Sequence, residues 1–387
     1  NIGTSALEVL EKSPGVSVDA EGNISLKGKQ GVLVMVDGRP TQLSGADLAA
    51  LLRNMNSNQL DQIEIMTNPP ARYDAAGTSG LINIKTKKII TAGYNGSATL
   101  TYSQGRYPKT AEAFNFNYRN SKLNLFTNLS HNYRKAYSLL TIQRNLYNAT
   151  TNALENYFDQ RAGLRNEGNS YNAKVGVDFF ATKNTTLGLV LNGTSSATAS
   201  PNLNTTRIST ATKALQSITS ASVDNTSDWK NFSTNLNFRT VLAKGKELTS
   251  DLDFLTYRGG TDQFMVNAYR DAAGIDFRKA DTLMGNLPQN IDVYSGKIDY
   301  FHPLKKDSRF EAGLKSSIVR TDNNAAYDSI QFGNIVHDFN RSNHFVYEEN
   351  INAAYANLST PLSKKWSAQF GLRLENTNAK GTQLTTG

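Results

Sequence analysis

The 387 residues carry 41 Lys and Arg against 33 Asp and Glu, a net charge of +8, and no cysteine, which excludes disulfides, thiol nucleophiles and cysteine metal sites. Mean hydropathy is polar at −0.46, and no run of about 18 apolar residues occurs, so a membrane could be crossed only by a β-barrel and not by a helix. The basic residues are scattered without the stripe that nucleic-acid binding requires, and their excess reads as a solvated surface.

Residues 4–12 predict a short helix. Ser5 and Glu8 have capping-box spacing, Ala6, Leu7 and Leu10 form an apolar side, and Pro14 with Gly15 ends it. Val16 and Val18 start a strand, residues 19–23 turn on Gly22, and residues 24–27 return as its partner. Asp19, Glu21 and Asn23 superficially match a calcium-loop spacing, but a β-turn accounts for them and no metal is expected. The apolar run 32–36 suits a central strand, and Asp37, Gly38, Arg39 and Pro40 turn the chain away.

A second helix is expected over Gly45–Asn54, with Ser44 as N-cap, Asp47 in the first turn, and Leu48, Leu51, Leu52 and Met55 as one stripe. Two strands follow, residues 62–66 and Leu81–Thr86. Pro69 and Pro70 must stop the first, because they lack an amide donor and force extended geometry on the residue before them. Gly77 and Gly80 supply the reversal. This order, with five strands and two helices in fewer than 90 residues, reads as a compact α+β domain spanning residues 1–88.

Beyond Lys88 the period changes to two. Tyr171, Ala173, Val175, Val177 and Phe179 alternate with Asn172, Lys174, Gly176 and Asp178, and the same separation recurs at Leu248, Leu252 and Phe254, at Phe310, Leu314 and Ile318, and at Phe370, Leu372 and Leu374. Eleven strands are expected: 94–103, 112–120, 122–132, 169–181, 185–196, 230–241, 247–258, 291–301, 309–320, 345–358 and 364–376. Short connections, such as 120–121 and 182–184, alternate with long ones at 133–168, 197–229, 259–290 and 321–344. Such asymmetry is unusual in compact soluble domains but regular in outer-membrane barrels.

Three strings carry a family resemblance: SPGVSVDAEGNISLKG at 13–28, GVLVMVDGRP at 31–40 and IEIMTNPPARYDAAGTSGLINIKTKK at 63–88. In that order they resemble the plug of TonB-dependent outer-membrane receptors, and AAYANLS at 353–359 with FGLRLENT at 370–377 is similar to paired barrel strands of that family. The resemblance implies a mainly β fold: a small α+β plug inside an antiparallel transmembrane β-barrel, with about eleven of 22 strands in residues 89–387. On this expectation both ends of a longer chain are missing, the TonB-contacting segment among them. The implied activity is non-enzymatic: binding of an external nutrient (iron chelate, cobalamin, glycan or peptide) and its import by TonB-driven plug remodelling. A non-transporting surface barrel with a vestigial plug is the alternative.

The implied partners are the TonB–ExbB–ExbD complex, outer-membrane lipid and the nutrient, with no nucleic acid and no cofactor. Short turns are expected in the periplasm and long loops outside. Since plug arginines in the family are held by carboxylates of the inner wall, Arg39 and Arg72 become candidates for contact with Arg373 and Glu375, which parity puts on the lumen side of the last strand. Pro14, Gly15, Asp37, Gly38, Pro69, Pro70, Gly77 and Gly80 are the plug's structural motif residues. Tyr94, Tyr102, Tyr118, Tyr257, Tyr300 and Trp366, near expected strand ends, suit interfacial girdles. The four histidines are far apart, and neither a metal-ligating set nor a catalytic or phosphate-binding motif is present.

Overall fold

A computed structural model describes residues 4–19, 22–41, 43, 45–67, 69–71, 73, 79–87, 92–331, 333–363 and 365–384. The leading globule contains α1 (Ala6–Glu11), β1 (Val16–Val18), β2 (Ile24–Leu26), β3 (Leu33–Val36), β4 (Arg39–Pro40), α2 (Gly45–Asn54), β5 (Leu60–Met66) and β6 (Leu81–Thr86). Ser5 caps α1 by accepting a hydrogen bond from the Glu8 amide at 3.3 Å. The expected cap of α2, Ser44, lies outside the described residues, as does the side chain of Asp47.

One four-stranded sheet has the order β4-β3-β6-β5, with β3 and β6 parallel, and β1 and β2 form a separate hairpin. Leu7 and Leu10 of α1 and Leu48, Ala49 and Leu52 of α2 meet Val34, Ile82 and Ile84 of the sheet in a dry core. Gly80, at φ 118°, enters β6 where a Cβ would stand 2.8 Å from both Leu26 Cδ2 and Met66 O, so only glycine fits.

The rest of the chain is one antiparallel sheet. Its strands are β7 (Gly93–Gln104), β8 (Pro108–Arg119), β9 (Leu123–Tyr147), β10 (Leu154–Phe180), β11 (Thr185–Thr210), β12 (Leu215–Val241), β13 (Glu247–Asp271), β14 (Asp276–Pro303), β15 (Arg309–Gln331), the short β16 (Asn334–His337), β17 (Asn343–Pro361) and β18 (Ser367–Gln383). Neighbours in sequence pair throughout, with β16 beside β15, and the outermost strands β7 and β18 do not pair with each other. Among the described residues the barrel is therefore not closed.

Four connections expected as long loops are instead strand. Residues 133–147 and 154–168 continue β9 and β10 to a turn at 148–153, and the 197–229 and 259–290 segments continue their strands to turns at 211–214 and 272–275. In the fourth, β15 runs on to Gln331 and β16 adds a short outer strand. The outward faces of these extensions are mostly polar, with Leu139, Leu203 and Phe264 among the exceptions, so the regular apolar alternation that marks a strand in lipid weakens while the hydrogen-bond ladder persists.

On the outward face Leu125, Leu129, Val175, Leu189, Leu236, Leu252, Ile298, Leu314 and Leu372 are all exposed. They occupy about the first ten residues from the short-turn rim, the length a tilted strand needs to cross a hydrocarbon layer. Immediately beyond, outward positions include ion pairs, Arg258 with Asp292 at 2.7 Å and Arg320 with Glu348 at 3.8 Å, and a hydrogen-bonded pair, His131 Nδ1 and Glu112 Oε2 at 2.7 Å. Tyr94, Tyr118, Tyr300 and Trp366 lie at the short-turn rim, at or beside the ends of β7, β8, β14 and β18.

Candidate functional site

The globule sits against the inward face of the sheet, and among the described residues hydrogen bonds tie the two together at three places. The first is built at the turn between β3 and β4. Asp37 and Gly38 adopt φ 51° and 80°, a left-handed pair that Asp and Gly tolerate best, and the Gly38 amide is held by Asn83 Oδ1 at 2.9 Å. The turn aims the Asp37 carboxylate at β6 and at the wall. Oδ1 accepts from the Thr86 amide at 2.8 Å, and Oδ2 accepts from Thr86 Oγ1 at 2.7 Å and from Lys174 Nζ of β10 at 3.1 Å.

Lys174 also donates to Thr86 Oγ1 at 3.1 Å, and the two charged side chains are 21% and 17% exposed for Lys174 and Asp37. Burial alone would raise the Asp37 pKa. The Lys174 charge and the Thr86 and Lys174 hydrogen bonds outweigh it and hold the carboxyl below its ordinary value.

The second contact is apolar around one hydrogen bond. Tyr257 of β13 is 4% exposed, and its hydroxyl donates to the Thr41 carbonyl at 2.9 Å. Tyr257 packs with Ile291, Val293 and Val319, and Leu43 of the globule with Trp229 and Leu255 of the wall covers the cluster. The expectation of Tyr257 as a lipid-interface aromatic is thus corrected. It lies on the odd-numbered face of β13, opposite Leu252 and Phe254, and that face looks toward the globule.

The third contact is at β18. Arg373 and Glu375 form an ion pair with each other, Nε and Nη2 donating to Oε2 at 2.7 Å, and Arg373 Nη1 reaches the Ala71 carbonyl at 3.5 Å. Gly371 leaves room for the same segment, since a Cβ there would stand 3.0 Å from Ala71 Cβ. Arg72, Gly77 and the side chain of Arg39 lie outside the described residues. Of the other motif residues, Pro14 and Gly15 are exposed at the turn into β1, where the Lys27 amide donates to the Gly15 carbonyl at 2.7 Å, and Pro69 and Pro70 are half-buried.

Two family models match the sequence in chain order: a TonB-dependent Receptor Plug Domain over residues 2–81 and an Outer membrane protein beta-barrel family over residues 238–387. The chain is a TonB-dependent outer-membrane receptor. No curated protein matches the sequence. Similar solved structures include a variant of the ferric enterobactin receptor PfeA of Pseudomonas aeruginosa in complex with enterobactin (12% identity, 96% of this chain and 78% of that one, TM-score 0.39). The ferric yersiniabactin uptake receptor FyuA of Yersinia pestis (12%, 98% and 67%, 0.39) and the alcaligin receptor FauA of Bordetella pertussis (10%, 98% and 92%, 0.31) also match. These likenesses are too distant to transfer a ligand.

Within the receptor, the wall beside the plug is a network of amides and carboxylates. Asn117 donates to Asn124 Oδ1 at 2.8 Å, Asn124 to Asp178 Oδ2 at 2.9 Å and Asn235 to Asp253 Oδ1 at 2.8 Å. Neither Lys174 nor Tyr257 stood out in the sequence as a plug contact. Lys174 was visible only as a member of the polar half of an alternating strand. The cue for Tyr257 is its parity against Leu252 and Phe254, which outweighs its position near an expected strand end.

Proposed function

We propose that the receptor is an outer-membrane importer in which residues 1–88 form a plug and the following sheet is barrel wall, the short turns facing the periplasm and the extended hairpins facing outside. An external nutrient binds between the hairpins and the plug apex. The TonB–ExbB–ExbD complex then remodels the plug using the proton-motive force. The receptors it resembles are named for ferric enterobactin, yersiniabactin and alcaligin, and iron chelates, cobalamin, glycans and peptides are the ligand classes for this reading. No step calls for enzymatic chemistry.

The observation that carries the proposal is the way the plug is held. Lys174 with Asp37, Tyr257 with Thr41 and Arg373 with Ala71 are separate side-chain contacts at three places on the wall. An interface of this kind retains the plug at rest, since each charge-assisted or buried bond contributes about 1–3 kcal/mol. It is also separable one contact at a time by modest mechanical work. A folded domain in the lumen blocks passive conduction of large solutes, so import requires energy from outside the barrel.

The test is uptake of candidate nutrients by cells with and without the intact gene, repeated after TonB depletion and with a protonophore. Gene-dependent uptake that both treatments abolish is expected. No gene-dependent uptake of any solute would instead support a surface barrel that kept a plug without transporting.

A further inference from the structure

The plug contacts fix which face of each strand looks toward the plug: even-numbered residues on β10, from Lys174, and odd-numbered residues on β13, from Tyr257. Register carries that assignment to even residues on β9 and β11 and to odd residues on β7, β8 and β12.

From the row that holds Tyr257 to the far ends of the strands, the inward positions of β7 to β12 are one-sided in charge. They span 99–103, 109–113, 130–146, 156–172, 194–208 and 217–231, and they include Lys109, Arg134 and Arg144 but no Asp or Glu. On later strands, inward Asp281 of β14 already pairs with Arg278 at 2.9 Å, and Glu349 of β17 accepts from the Tyr347 hydroxyl at 3.0 Å.

Lys109 and Arg134 are direct neighbours across the β8–β9 ladder. Their row continues through Gly168, Thr198, Ser227 and Thr261. Gly168 has no side chain to cover Arg134, and the Thr198 hydroxyl leans over it, since a Cβ there would stand 2.8 Å from Thr198 Oγ1. The plug brings a third cation to the same place. Arg53 lies in the last turn of α2, the helix that approaches β10. Burial first, and then the Arg134 charge, push the Arg53 pKa below its ordinary value against the pull of Glu11 on α1.

The side chains of Arg53, Lys109 and Arg134 form no hydrogen bond or ion pair among the described residues. Like charges brought together from two domains repel, and they become costlier as a ligand displaces water from them. A guanidinium fork beside an ammonium matches the geometry of an oxyanion. We propose that an oxyanion of the ligand, a carboxylate or a phosphate, seats between Arg53 of the plug and Lys109 and Arg134 of the wall and bridges the two. This rests on the importer reading and names the chemistry of its ligand. A seam that repels when empty is drawn together when filled, so occupancy tightens the plug at this point. Arg144, ten residues beyond Arg134 on the same face and 5.9 Å from the centre of the Phe158 ring, adds positive potential along the way in.

The test uses the full-length receptor in detergent, titrated calorimetrically with citrate, with inorganic phosphate and with maltotriose as the uncharged comparison. Binding of citrate, phosphate or both is expected, weakening at least about tenfold between about 0.05 and 0.5 M NaCl as the charges are screened. Arg53→Gln and Arg134→Gln each weaken it about tenfold, while Arg207→Gln, on the outward face of β11, leaves it unchanged. A second readout separates bridging from binding to the wall alone. Val293→Cys lies in the cluster that Leu43 of the plug covers, and its maleimide labelling reports undocking. Anion at ten times its Kd should slow that labelling about fivefold in the parent and not in Arg53→Gln.

Binding of neither anion, or binding that Arg53→Gln leaves intact, overturns the proposal. So does labelling that bound anion fails to slow. Faster labelling of Arg134→Gln with no anion present also overturns it, because the cations would then be holding the plug themselves. TonB-dependent uptake of an uncharged nutrient by a receptor that binds no anion leaves the importer reading standing while this inference falls. Anion that binds and bridges in a receptor that imports nothing does the reverse.

Discussion

Replacing Lys174 by Met tests the plug's ionic latch. The substitution keeps an unbranched side chain of similar reach but leaves the Asp37 carboxylate, 17% exposed, with Thr86 as its remaining partner among the bonds described above. The bare Coulomb energy at 3.1 Å is about 5 kcal/mol with an effective dielectric near 20. Desolvation of both ions offsets much of it, and the retained Thr86 bonds hold the carboxylate, so the expected loss is about 2 kcal/mol. That corresponds to about a 30-fold rise in the population of undocked plug.

The chain contains no cysteine, so a single cysteine placed at Val293, a buried wall residue of β14 in the cluster that Leu43 of the plug covers, reports plug undocking through its rate of maleimide labelling in the full-length receptor. Lys174→Met is expected to speed labelling about 30-fold, with Lys183→Met on a short turn as the neutral control. Adding Asp37→Asn to Lys174→Met is expected to recover part of the loss, because the unpaired buried charge is removed. Labelling within about twofold of the parent for Lys174→Met would refute the reasoning.

The pH dependence of the same labelling follows from the lowered Asp37 pKa. A carboxylate whose folded value lies below its ordinary value of 3.8 stabilises the docked plug above that pH and stops doing so as pH falls through the folded value. Labelling should be flat from neutral pH to about 4 and accelerate below it. Tyr257→Phe removes the hydroxyl that serves the Thr41 carbonyl and is expected to raise plug opening by about 1–2 kcal/mol in the labelling assay. Gly80→Ala places a Cβ 2.8 Å from two neighbours at φ 118°, and the plug should lose protease resistance while the barrel retains it. Leu314→Arg, on the outward face, is expected to cost about 2–4 kcal/mol in unfolding from lipid vesicles, whereas Lys315→Arg, one residue along on the inward face, should be near neutral.

Much of the plug was legible because its signals are local. The Ser5 cap, the α2 stripe through Leu48 and Leu52, and the glycine at position 80 each act within a few residues or impose a backbone conformation that sequence reveals. The wall was legible in lipid, where Val175, Leu252 and Leu372 must alternate with polar neighbours, and was lost above it. There the contrast between the faces fades: Asp224 and Asn225 are neighbours on opposite faces of β12, yet nothing in their hydropathy distinguishes strand from loop. The site was the least visible part. Asp37 and Lys174 are 137 residues apart, and no local pattern records a contact that depends on how a domain nests inside a wall.

The same strands therefore carry three environments with only one alternation. Outward residues are apolar for about ten positions, as lipid demands, and then include ion pairs such as Arg258 with Asp292. Inward residues carry charge at both heights, Lys174 and Asp178 beside the plug and Arg134, Arg144 and Glu349 above it. On the outer face the boundary marks where lipid ends and water can solvate an ion. Water reaches the inner face at both heights, so nothing imposes a matching boundary there.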